Sequence, residues 1–115
     1  MKYPLISVAA LTFLSACDLT EEANVLPTVT VDNAAGFEAS VIDIVANAED
    51  SDGEIVEYNW RQVSGSQAEL NANGQALALT LPSLLDSETL TFELTVTDSD
   101  DGVASTEFDV TVEPI

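Results

Sequence analysis

Leu90-Thr91-Phe92-Glu93-Leu94-Thr95-Val96-Thr97-Asp98 is the stretch that decides the fold. Leu90, Phe92, Leu94 and Val96 alternate one for one with Thr91, Glu93, Thr95 and Thr97. A period of two puts all four apolar side chains on one face of an extended strand. The opposite face is threonine and glutamate, which suits water. This predicts an antiparallel strand with one buried side. After Asp98-Ser99-Asp100-Asp101-Gly102 the pattern returns, with Phe108, Val110 and Val112 set between Glu107, Asp109, Thr111 and Glu113. An Asp/Gly turn between two such runs reads as a hairpin.

The rest of the chain follows the same period. Pro27 to Val31 predicts a first strand, with Pro at its start where a missing donor is tolerated. Asn33-Ala34-Ala35-Gly36 reads as a turn. Ser40 to Ala46 predicts a second strand, with Ile42, Ile44 and Ala46 on one face and Asp43 on the other. Asp50-Ser51-Asp52-Gly53 turns the chain into a third strand, Ile55 to Val63, where Val56, Tyr58 and Trp60 share a face. Ser64-Gly65-Ser66 breaks it, and a short strand follows near Ala68 to Leu70. Gln75 to Leu81 keeps Leu77, Leu79 and Leu81 in phase, and Pro82 stops it. About seven short antiparallel strands with turns between them predict an all-β sandwich.

The N-terminus has a different logic. Lys2 precedes an apolar run from Leu5 to Leu14, followed by the small residues Ser15 and Ala16. Charge, apolar core and small residues in that order make a secretory signal. A run of about ten residues is ~15 Å of helix, too short for a ~30 Å hydrocarbon core. Leu14-Ser15-Ala16-Cys17 resembles the lipobox of bacterial lipoproteins. The resemblance implies a cleaved signal at residues 1–16 and a lipidated Cys17. Residues 17–25 then form an acidic tether, and residues 26–115 the folded domain. The competing readings are a buried core strand with a free Cys, and secretion without lipid. Two or more acyl chains would anchor the protein stably, at ~0.8 kcal/mol per buried methylene. Asp18 after Cys17 resembles an inner-membrane retention signal of enteric bacteria. The expected location is the bacterial cell envelope, on either membrane.

Charge narrows the partners. From Cys17 onward 21 acidic residues face the single Arg61, a balance of −20. Nucleic acid and anionic membrane surfaces are excluded as partners, so any membrane affinity must come from the lipid. With only one Cys, no intramolecular disulfide forms. Stability must come from the core.

Three segments carry a family resemblance: Asp50-Ser51-Asp52-Gly53-Glu54-Ile55; Tyr58-Asn59-Trp60-Arg61-Gln62 with Gly65; and Leu90 to Asp98 with Gly102. In this order and spacing they resemble a PKD (polycystic kidney disease) domain, which implies an immunoglobulin-like β-sandwich over about residues 26–113. PKD modules accompanying secreted hydrolases usually continue after the Trp with a Gly-Asp-Gly turn. Arg61-Gln62-Val63-Ser64-Gly65 is closer to the PKD-like repeats of adhesive ectodomains. In such a sandwich Trp60 and Tyr58 are expected in the core, and Arg61 opposite them should meet an acidic neighbour.

Two carboxylate clusters complete the reading: Glu49, Asp50 and Asp52, and Asp98, Asp100 and Asp101. In an immunoglobulin-like sandwich the loops that carry them lie at the same end. Two explanations stand side by side. Asp and Gly build turns by themselves. Calcium takes six to eight oxygens at ~2.3–2.6 Å, and these loops offer them. The spacing is not that of an EF-hand. The tether should emerge at this end, so bound calcium would stiffen the domain against its anchor.

Enzymatic chemistry is not expected. The chain has no His, Cys17 is committed to lipid, and no Lys follows Lys2. The expected role is a lipid-anchored binding or adhesion module with a protein or glycan ligand. The alternative is a structural or accessory subunit of an envelope complex.

Overall fold

The computed structural model describes residues 25–115. The signal, Cys17 and all of the tether except Val25 lie outside the described residues. Nine strands follow one another: β1 Thr28–Thr30, β2 Ala34–Phe37, β3 Val41–Val45, β4 Asn47–Glu49, β5 Ile55–Ser64, β6 Glu69–Asn73, β7 Ala76–Thr80, β8 Glu88–Asp98 and β9 Val103–Glu113.

These nine elements are seven strands, two of them broken. One layer has the order β2-β9-β8-β5. The other contains β3-β7-β6 and the β1-β4 pair. Ala46 alone separates β3 from β4, and its backbone N–H and C=O are both held by Gln75, at 3.0 and 2.8 Å. The first strand changes layers: β1 pairs with β4, whereas β2 pairs with β9. This is the β-sandwich expected from the alternation, in the immunoglobulin-like form that the family resemblance implies.

The β8–β9 hairpin is its centre, in unbroken antiparallel register from Val103↔Thr97 to Val112↔Glu88. Leu90, Phe92, Leu94, Val96, Val110 and Val112 are fully buried. Ile44, Leu77, Leu79 and Leu81 close the core from the opposite layer. Phe108 joins the aromatics. It stacks on Phe92 at 5.5 Å and meets Trp60 edge-on at 5.9 Å. Trp60 Nε1 donates to the Gly74 carbonyl at 2.9 Å, so its one polar atom is satisfied across the layers.

Three details depart from the sequence reading. Ala34, Ala35 and Gly36 form a strand, not a turn, paired parallel with β9. So the pairing is not wholly antiparallel. Val56 does not share the face of Tyr58 and Trp60. A register shift between Ile55 and Glu57 turns it outward, 61% exposed, and Ile55 takes the inner position. Asn47–Glu49 forms a further strand beyond the Ser40–Ala46 segment.

The departure after Trp60 has a structural explanation. The Gln62 amide donates to the carbonyls of Ser64 and Ser66, and its oxygen accepts from Ala68 N. One side chain thus shapes the whole connection. Gly65 sits in it with φ +99°, and a Cβ there would lie 2.5 Å from Leu90 Cδ2. Gly65→Ala is therefore expected to destabilise by about 1–3 kcal/mol, through strain at positive φ and displacement of a core leucine. Urea denaturation checks it; a midpoint within error of wild type would contradict it.

Candidate acidic site

Both acidic loops lie at one end of the sandwich. Two backbone-linked contacts sew them together: Ser99 N donates to the Glu54 carbonyl at 2.8 Å, and Glu54 N donates to Ser99 Oγ at 3.3 Å. Gly53 fits between them. A Cβ there would lie 2.5 Å from Ser99 Oγ and 3.0 Å from Asp50 Oδ2, so a larger residue would have to displace these side chains.

Asp98 ends β8 fully buried. Its Oδ1 accepts from Asp100 N at 2.9 Å and Gly102 N at 2.7 Å. Its backbone N–H donates to the Gly102 carbonyl, and its carbonyl accepts from Asp101 N. Asp98 thus builds its own turn. Asp101 takes the left-handed conformation at φ 69°.

Asp50 is different. Its two carboxylate oxygens are sealed from solvent although the residue as a whole is half-buried, and in the ionised form neither accepts a hydrogen bond from a described residue. Carboxylate oxygens of Asp50, Asp52 and Asp98 lie within 4.8 Å of one another. Two ligands on opposite sides of a calcium ion lie about 4.6–5.2 Å apart, so three oxygens this close suit one cation. Of the six expected residues, these three converge. Glu49 is on β4, exposed and in register with Thr28. Asp101 is exposed on the turn. Asp100 stays outside the triad, though its charge reaches Asp50. Ser99 and Gly53, which bring the loops together, were not among the expected residues. The only sequence signal for them is small size beside Asp.

Burial raises the Asp50 pKa from its ordinary 3.8 to about 6; a carboxyl–carboxyl hydrogen bond to Asp52 and the charges of Asp52, Asp98 and Asp100 add to this. That hydrogen bond exists only when a proton is present. A raised carboxyl pKa means the folded state binds a proton before the unfolded chain does as pH falls. Metal-free stability should therefore rise as pH falls from about 7 towards about 5, where Asp50 becomes neutral. Thermal melts in chelator at pH 7.5 and 5 check this; an equal or lower midpoint at pH 5 contradicts it.

The first described residue lies at this end. Val25 N donates to Asp52 Oδ2 at 2.8 Å. Arg61 meets the acidic neighbour expected of it, Glu93 on β8, at 2.7 Å, far enough out in solvent to contribute at most about 1 kcal/mol.

The two layers, the strand that changes sheet and the aromatic on the third strand define an immunoglobulin-like β-sandwich domain. The chain belongs to the family "K319L-like, PKD domain", whose model matches residues 28–112. No curated protein sequence matches it. Among solved structures it is similar to the PKD1 domain of Vibrio anguillarum Epp, with 23% identity, TM-score 0.53 and coverage of 81% of this chain and 100% of that one. It is also similar to the PKD domain of the KIAA 1837 protein, with 19% identity, TM-score 0.57 and coverage of 83% and 92%. A third is the SrpA adhesin of Streptococcus sanguinis, with 14% identity, TM-score 0.60 and coverage of 82% and 60%. Identities this low establish the fold. The chain spans only 17% of a Photobacterium 2,6-sialyltransferase and 26% of a nucleoside hydrolase-related protein from Saccharophagus degradans that also share it.

Proposed function

We propose that this protein is a lipid-anchored binding module of the bacterial cell envelope, with a protein or glycan as its ligand. The observation that carries the reading is membership of a PKD family by a domain that fills residues 28–112. An adhesin among the fold neighbours supports it. Catalysis lacks the usual means: the chain has no His, and no Lys follows Lys2. The anchor rests on Leu14-Ser15-Ala16-Cys17. Crosslinking in intact cells tests the function. Recovery of a discrete protein or glycan adduct is expected; a protein recovered only uncrosslinked contradicts it. Mass spectrometry of the Cys17 peptide tests the anchor. A thioether diacylglyceryl adduct is expected, and an unmodified Cys17 in the membrane fraction sinks it.

The acidic end is read as a calcium site held by Asp50, Asp52 and Asp98. Support comes from the two Asp50 oxygens, buried without a partner. A buried carboxylate without a compensating contact is costly, and a cation removes that cost. Calcium here would tie the loop that receives Val25 N to the end of β8. The domain would then be held stiffly where its tether begins.

A further inference from the structure

The outer face of β3-β7-β6 carries a trough. Its floor is the middle strand, where Ala76, Ala78 and Thr80 turn outward. One wall is β3, with Val41, Asp43 and Val45 outward; the other is β6, with Glu69, Asn71 and Asn73 outward. The register sets these in transverse rows, such as Asp43–Ala78–Asn71. Short side chains between two longer rows leave two open cavities, about 510 and 640 Å³. Both touch Asn71 and Ala78, so they are one continuous depression. Neighbouring strands are ~4.8 Å apart, so the walls stand about 10 Å apart, and five residues of strand run about 17 Å. These are the dimensions of an extended polypeptide.

We propose that this trough binds an extended cationic segment of a partner protein, lying along β7. The inference rests on the binding-module reading above and gives it a site and a partner chemistry. The charges select the partner. Asp43 and Glu69 stand on opposite walls, and the domain's single cation, Arg61, lies on the outer face of the other layer. An anionic chain is repelled, and so is a second copy of this one. Val41 and Val45 are 61% and 63% exposed, a surface for the aliphatic stems of Lys or Arg. The two carboxylates then receive the charged heads, and the Asn71 and Asn73 amides offer donors and acceptors to a peptide backbone. Among the described residues no aromatic ring lines the trough, so a neutral sugar has no described ring to stack on. Trp60 and Tyr58 are turned into the core.

The test uses the purified protein and a fluorescent ten-residue peptide of alternating Lys and Thr, followed by anisotropy. Saturable binding is expected. Asp43→Lys and, without a charge change, Ala78→Gln are each expected to weaken it at least tenfold. Glu107→Lys, the same charge reversal on the other layer, should leave affinity within twofold. Equal losses in Asp43→Lys and Glu107→Lys would reduce the effect to diffuse charge and overturn the trough. So would no saturable binding, or binding of chitohexaose in place of the peptide. Intact-cell crosslinking separates the two levels. A partner captured equally by wild type and Asp43→Lys retires the trough and leaves the binding module standing. No partner with either overturns both.

Discussion

Phe108→Ala is expected to cost about 3–5 kcal/mol. The ring is 2% exposed and sits between Phe92, stacked at 5.5 Å, and Trp60, edge-on at 5.9 Å. Removing it leaves two aromatic faces without contact and a cavity between rigid strands. Both layers hold those strands in register, so the hole cannot collapse. Domains of this size have only about 5–15 kcal/mol in hand, and each kcal/mol shifts the melting midpoint by about 4–8 °C. The variant should be partly unfolded near 37 °C. Phe108→Leu keeps most of the volume and should lose less than half as much. A Phe108→Ala midpoint within 5 °C of wild type would place the core elsewhere.

Asp98→Ala is the second large effect, about 1–3 kcal/mol. The carboxylate accepts from two backbone donors, Asp100 N and Gly102 N, and Gly102 is buried. Without Asp98 the buried donor has no acceptor and the hairpin loses its turn. Asp98→Asn separates turn from charge. Its amide oxygen can still accept both bonds, so most of the stability should remain while the proposed cation site would lose a ligand. Equal losses in the two variants, by urea denaturation, would mean that charge, not turn geometry, makes Asp98 matter.

The two centres differ in how far residues alone foretell them. β8 and β9 are legible because one face turns inward at every second residue, fully buried from Leu90 to Asp98 in β8 and from Phe108 to Val112 in β9. β2 is not. Ala34-Ala35-Gly36 has no apolar alternation, and its glycine looks like turn chemistry. Gly36 is small for another reason: a Cβ there would lie 2.8 Å from Leu81 Cδ1 and 3.0 Å from Ile42 Cγ2. The outward turn of Val56 is not legible because a bulge shifts the face by one residue without changing the composition. At the acidic end, sandwich topology alone brings Asp50, Asp52 and Asp98 together. Topology does not say which oxygens point inward. Glu49 follows the outward pleat of β4, and the left-handed backbone at Asp101 sets that residue on the surface.

Asp98 has its own acceptor work, whereas Asp50 has none; its carboxylate is buried among like charges. Such a residue is expensive unless the fold has a partner for it. The proposed partner is a divalent cation, bound at the end of the sandwich where Val25 N meets Asp52.

The most direct measurement is a thermal melt at pH 7.5 of wild type and Asp50→Asn, each in chelator and in millimolar calcium. At a calcium concentration about one hundred times Kd the gain is about 2.7 kcal/mol, or a rise of roughly 10–20 °C. Wild type should show this rise. Asp50→Asn should melt higher than wild type in chelator, its buried charge gone, and should not respond to calcium. A wild-type midpoint unmoved by calcium would contradict the calcium site, and Asp50→Asn melting no higher than wild type in chelator would contradict the cost assigned to its buried charge.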